Sequence, residues 1–237
     1  MSWQELADPG HPLAALAARP LGQYRLTVLT GPTTRTGART FGLRLTDPDG
    51  LATAEPFLIG LFRPGRRPAE TWVEVDWVDF RPVLTGRDGA RRVADLEAEG
   101  LLEPLLGRLA ETLPPGGSLM VEYASPRWQE TARALALGVP PAATELGFLL
   151  IRAGCLGGFK DWYFAEGGWE GPRKLQAFRP DPARLGERIS RLLAELEGYI
   201  AKEQPETAPD VNAVCRARAR QVVEYLRGLL GREGGAG

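Results

Sequence analysis

Four stretches of alternating polar and apolar residues, joined by short turns, constrain this chain more than any other feature. They are "YRLTVLTG" from Tyr24, "RTFGLRLT" from Arg39, "EPFLIGLFR" from Glu55 and "TWVEVDWVDF" from Thr71. A period of two marks strands with one face buried. The turn residues Asp47-Pro48-Asp49-Gly50 and the Pro/Gly/Arg run from Arg63 to Pro68 separate them. Strands joined this closely leave no room for crossover helices, so the first ninety residues are predicted to form an antiparallel meander.

The period then lengthens. Leu96, Leu101, Leu102, Leu105, Leu106 and Leu109 fall at helical spacing before Pro114-Pro115, with Pro104 marking a break or a fresh first turn. "GGSLMVEYAS" reads as a compact buried strand. "PRWQETARALALG" reads as a helix favoured at its start by Pro126 and closed by Gly138. "AATELGFLLIRAGC" places Ala143, Leu146, Leu149, Leu150 and Ala153 on one helical face, with Gly154 as the stop. "FKDWYF" and "KLQAFRP" are predicted strands flanking a turn-rich segment.

Past Pro180 two amphipathic helices follow. Leu185, Ile189, Leu192, Leu193, Leu196 and Ile200 line one stripe; Val211, Val214, Cys215, Val222, Leu226 and Leu229 line the other. The short loop between them predicts a helical hairpin that caps the domain or joins two copies as a homodimer. At the other end, Ser2 and Glu5 stand three apart like a capping box. The organisation predicted is an N-terminal helical segment over 1–21, an α+β domain over 22–180, the hairpin over 181–230 and a disordered tail over 231–237.

Charge and cysteine usage narrow the function classes. A formal net charge of -1 over 237 residues argues against broad binding to nucleic acid or a membrane surface. Arginine dominates the bases, with lysine only at 160, 174 and 202. Two cysteines without metal-type spacing and a single histidine, His11, disfavour a disulfide framework, a metal site and a histidine-based triad. With no long apolar run, the expectation is a cytoplasmic protein.

The layout of strands, helix, strand, helices and two closing strands resembles that of GNAT-type N-acetyltransferases over roughly residues 22 to 180. The best local piece is "AATELGFLLIRAGC" running into "FKDWYF"; "FKDWYFAEGGWEGPRKLQ" also resembles a pattern of an uncharacterised prokaryotic family near those enzymes. The fold this implies is a GNAT-like, mostly antiparallel mixed sheet with flanking helices. It further implies an acyl-CoA-dependent N-acyltransferase that moves an acetyl or other acyl group from acetyl-CoA or another acyl-CoA to a small-molecule amine. The strand "WVEVDWVDF" would then end near the cofactor, and Gly86, Arg87, Gly89, Ala90 and Arg91 would hold its pyrophosphate. Backbone amides of a glycine-containing turn opening onto a helix suit an anion. The family's loop usually reads Arg or Gln, two residues, Gly, one residue, then Gly or Ala; "RPVLTGRDGARR" lacks that exact spacing, and its run to the leucine-rich helix is longer.

Amine acylation needs a base and an acid. Glu74 and Asp76, two apart on a strand and so about 7 Å from each other, are the base candidates. Tyr123 and Tyr163 are the acid candidates by position. The stretch from Phe159 to Leu175 packs five aromatics, three carboxylates, three bases and three glycines into seventeen residues. Alternation puts Phe159, Asp161 and Tyr163 on one face and Lys160, Trp162 and Phe164 on the other. Asp161, Glu166, Trp169 and Glu170 are the candidates for an amine or cation pocket, since loops carrying aromatics and charge on a sheet are common binding sites.

Two other classes compete. A non-enzymatic GNAT-like ligand-binding or assembly module accounts for the irregular Gly/Arg loop. A SAM-dependent methyltransferase would explain the Pro-Gly-Gly turn of "LPPGGSLMVEYAS", but it needs an early glycine-rich strand-to-helix loop. The nearest segment, "LTGPTTRTGART", joins two hairpin strands instead.

Overall fold

The computed structural model describes residues 2–87, 89–162, 173–202 and 208–233. The fold is α+β, and the chain gathers into two compact units, Met1–Val121 and Glu122–Gly237.

The first unit is built on a mixed sheet. Strands β1 (Gln4–Glu5), β2 (Arg25–Thr33), β3 (Arg39–Thr46), β4 (Ala52–Thr53), β5 (Leu58–Arg63) and β6 (Trp72–Val78) precede the hairpin β7 (Val83–Gly86) and β8 (Gly89–Arg92). The four predicted strands are β2, β3, β5 and β6, and they pair antiparallel in that order. Helix α1 (Leu102–Glu111) then leads to β9 (Ser118–Glu122), which runs parallel to β6. A parallel neighbour requires such a crossover, and α1 supplies it. Its leucine stripe is the one predicted, with Leu96, Leu101, Leu102, Leu105, Leu106 and Leu109 all buried. Each contributes up to about 1.5–3 kcal/mol by leaving water. Pro104 is the third residue of α1, still in the first turn, where its missing N–H costs nothing.

The N-terminus departs from the prediction. Gln4 and Glu5 pair with Thr30 and Leu29 as an edge strand, and a 3-10 turn over Pro12–Ala17 follows. The capping-box spacing loses because β2 offers open ladder positions. Leu13 and Leu16 sink fully into the core. Arg108, itself buried on α1, fixes this segment by donating to the carbonyls of Leu16, Arg19 and Pro20. Burial lowers the Arg108 pKa, with nearby Arg19 adding to the effect.

Strand β6 carries a bulge. Pairing steps from Gly60–Val75 to Ile59–Trp77, leaving Asp76 as the extra residue. Gly60 is obligatory there: a Cβ would lie 2.1 Å from the Glu74 carbonyl oxygen.

In the second unit, α2 (Gln129–Ala136), α3 (Glu145–Arg152), α4 (Leu185–Ala201) and α5 (Pro209–Glu233) accompany an antiparallel pair, β10 (Phe159–Asp161) and β11 (Lys174–Phe178). Thr144 caps α3 by accepting from the Gly147 amide, and Gly138 and Gly154 adopt the positive φ that ends α2 and α3. The predicted C-terminal helices share one core with α2 and α3, including Ala134, Ile151, Ile189, Leu196, Cys215 and Leu226. Val214, predicted on the stripe of α5, is half exposed; Ala219 and Val223 are buried instead. Helix α5 continues through Glu233, so Gly231–Glu233 are helical rather than part of a disordered tail. Among the described residues no helix is long and apolar enough to cross a membrane.

Candidate functional site

The second unit brings together two residues singled out separately from the sequence. Tyr123 follows β9 directly, and its backbone N–H donates to the Arg173 carbonyl at 2.7 Å. That bond seats it beside the start of β11. Its ring is 2% exposed, and its hydroxyl donates to Asp161 Oδ1 at 2.6 Å. Asp161 is the last residue of β10, partly buried and opposite Leu175 on β11. A short O–H···O⁻ bond of this kind is charge-assisted and stronger than a neutral one. It also polarises the phenol oxygen, making it a better acceptor for a further donor.

The next residues of the same hairpin form an aromatic–cation stack. Lys160 Nζ lies 3.3 Å from the centroid of the Trp162 ring, and Trp162 Nε1 donates to Gln176 Oε1 at 2.9 Å. Lys160 and Gln176 are cross-strand partners. The stack fixes Trp162 just beyond Asp161, where the strand has ended and the backbone has turned helical. Lys160 and Trp162 thus share a side, as alternation placed them, although the strand itself ends at Asp161. Tyr163, Glu166, Trp169 and Glu170 lie outside the described residues. Gln176 was missed by sequence reasoning; its position opposite Lys160 across the predicted hairpin is the signal that points to it.

The chain matches the family described as "Protein of unknown function (DUF1122)" over residues 41–203, a span that contains both Tyr123 and Asp161. The chain belongs to the DUF1122 family. Among solved structures it is similar to the crystal structure of a protein of unknown function, AQ1966, from Aquifex aeolicus VF5. The TM-score is 0.55 at 24% identity, covering 86% of this chain and 90% of that one. That likeness bears on the fold. A search among curated proteins gives no match.

Elsewhere in this DUF1122 protein the predicted residues lie in other settings. Glu74 is buried on β6 between Leu61 and Met120 of the neighbouring strands. Asp76 is the bulge residue, so the simple alternation that would align it with Glu74 is interrupted. Gly86, Gly89, Ala90 and Arg91 sit on the β7–β8 hairpin, with Arg87 exposed in its turn. The segment expected to open onto a helix is thus a hairpin. Arg91 is occupied: its guanidinium lies 2.9 Å from Asp47 Oδ2, a fully buried carboxylate whose Oδ1 accepts from the Leu51 amide.

The start of α1, which lies after this hairpin, is also filled by the chain itself. The amides of Leu101 and Leu102 both donate to the Leu96 carbonyl, Pro104 has no N–H, and Glu103 adds a negative charge to the first turn. Glu99 closes the approach, accepting from the Ala94 amide and from the Tyr24 hydroxyl. A pyrophosphate needs free amides and positive charge at such a terminus. These residues do not fit one. Among the described residues no cluster of three His, Cys, Asp or Glu is arranged to hold a metal.

Proposed function

We propose that this protein is a ligand-binding module of acetyltransferase-like build that takes a small amine at Asp161 and Tyr123. The observation that carries the reading is the 2.6 Å bond from the buried Tyr123 hydroxyl to Asp161. A carboxylate offers only acceptors, and a phenol whose proton is committed to that carboxylate offers acceptor lone pairs as well. The complement of such a pair is a positively charged group with several N–H donors. A primary ammonium is that group.

A second reading, acyl transfer to the bound amine, draws support from the first unit. It has an antiparallel meander, a crossover helix and β9 running parallel to β6, with a bulge in β6 at Asp76. In that reading this chain's part is the deprotonation: the bound ammonium passes a proton to Tyr123 as Tyr123 passes its own to Asp161, leaving a neutral amine and a protonated Asp161. The closed start of α1 and the pairing of Arg91 with Asp47 favour the binding module over the transferase.

Thermal unfolding with spermidine, butylamine, acetyl-CoA and S-adenosylmethionine tests the reading, because a ligand bound to the native state raises Tm by mass action. The amines are expected to raise Tm in the wild type and not in Asp161→Asn. A rise with acetyl-CoA favours the transferase instead. Equal amine responses in wild type and Asp161→Asn would remove Asp161 from the site.

A further inference from the structure

The first unit holds a recess unrelated to that pair. A groove of about 390 Å³ opens where β1, β2 and β3 meet, lined by Ser2, Gln4, Thr30, Thr33 and Arg39 together with Gly31 and Pro32. Its origin is a register slip in β2: Thr30 faces Phe41 and Thr33 faces Arg39, three steps on one strand against two on the other. A bulge re-aims the side chains around it, and here it sets hydroxyls and an arginine around one space.

The lining is rich in donors and contains no carboxylate. Ser2 and Thr33 carry hydroxyls, Gln4 an amide and Arg39 an exposed guanidinium with no carboxylate partner among the described residues. Thr30 ties β1 to the wall by donating to the Gln4 carbonyl at 3.4 Å. Glu5, the nearest acid in sequence, alternates away from Gln4 along β1. We infer that this groove binds a small oxyanion, a phosphate or carboxylate group gripped by Arg39 and the Ser2 and Thr33 hydroxyls. Arginine's planar fork matches either group bidentately.

The molecule carries its own reporter for this site. Arg39 pairs across the strand with Phe62, whose ring meets the His11 ring edge-on at 5.4 Å. The His11 pKa is lowered by burial first and by the charge of Arg39 second, with Asp8 opposing. His11 is the chain's sole histidine, so its imidazole gives one unambiguous signal. An anion on Arg39 cancels part of that charge and lets the His11 pKa rise.

The test is a pH titration of the His11 ring by NMR, with inorganic phosphate, acetate or chloride at matched ionic strength, since plain screening acts on exposed charges too. Backbone amide shifts of Gly31 and Thr33 are followed in parallel. The expected result is a saturable upward shift of the His11 pKa, with saturable amide shifts, for phosphate or acetate beyond that of chloride. Arg39→Gln should start from a raised His11 pKa and show no further response. Phosphate alone, acetate alone or both acting then separates a phosphoryl from a carboxylate ligand. A response equal to chloride's, one that survives Arg39→Gln, or silence of both His11 and the two amides would overturn the proposal.

Discussion

Tyr123 and Asp161 lie 38 residues apart in the chain, and 2.6 Å separates their side-chain oxygens. Tyr123→Phe keeps the buried ring and removes the donor, leaving the carboxylate short of one bond. The expected loss is about 1.5–3 kcal/mol, the range for a hydrogen bond to a charged group. A double-mutant cycle with Asp161→Asn, read by urea unfolding, should return a coupling of at least about 0.5 kcal/mol. Additive losses would mean that the two side chains do not interact in solution.

Asp47 and Arg91 give a separate prediction. Asp47 has no exposed surface, whereas the Arg91 side chain is 44% exposed, so solvent screens part of their attraction. Removing Arg91 strands a buried carboxylate with the Leu51 amide as its remaining hydrogen bond. Arg91→Ala should therefore destabilise by about 1–3 kcal/mol. Asp47→Asn in that background should recover stability by removing the stranded charge. Chemical denaturation of the single and double variants checks both.

Arg108→Lys should behave nearly as badly as Arg108→Ala. One ammonium cannot span the Leu16, Arg19 and Pro20 carbonyls that the guanidinium fork reaches. Losses of about 2–4 kcal/mol are expected for both, with hydrogen exchange rising first in residues 12–20.

The cysteines predict a pH dependence. Burial pushes the thiols of Cys155 and Cys215 from the ordinary 9.0 up to about 12, with Glu130 reinforcing the effect on Cys215. Between those values the native state retains protons that the unfolded chain releases. Their contribution to stability is therefore complete below pH 9 and lost as pH rises toward 12. Neither thiol should react with a disulfide reagent at neutral pH until the protein unfolds. Fast labelling of native protein would contradict this.

Gly60→Ala should cost more than any exposed glycine substitution, because a Cβ 2.1 Å from the Glu74 carbonyl forces the bulge to move. A loss of about 1–3 kcal/mol is expected, measured against Gly37→Ala or Gly228→Ala, where a Cβ meets open space. Gly37 has a φ of +80°, so it adds a strain control, while Gly228 lies in α5.

Much of the fold was legible in the sequence where one face is buried. β2, β3, β5, β6 and the leucine stripe of α1 all show their period, because burial selects the apolar positions. β8 was not legible: all four of its residues are exposed, so no pattern marks it. β4, two residues long, has too few positions for one. The bulge at Asp76 was missed, although Gly60 inside an apolar strand was its available signal. At the site, residue types pointed to Tyr123 and Asp161 separately. Their pairing depends on a hairpin returning past the end of β9, a tertiary relation that neither local stretch encodes.

The most direct test of the amine site uses NMR of protein labelled at the tyrosine rings, which number five. Tyr123→Phe identifies the relevant signal, and spermidine is then titrated into the wild type and into Asp161→Asn. The Tyr123 signal of an amine-binding site moves saturably with spermidine, and that movement disappears in Asp161→Asn. A Tyr123 signal that stays still while spermidine binds elsewhere, or that moves equally without the Asp161 carboxylate, would contradict it.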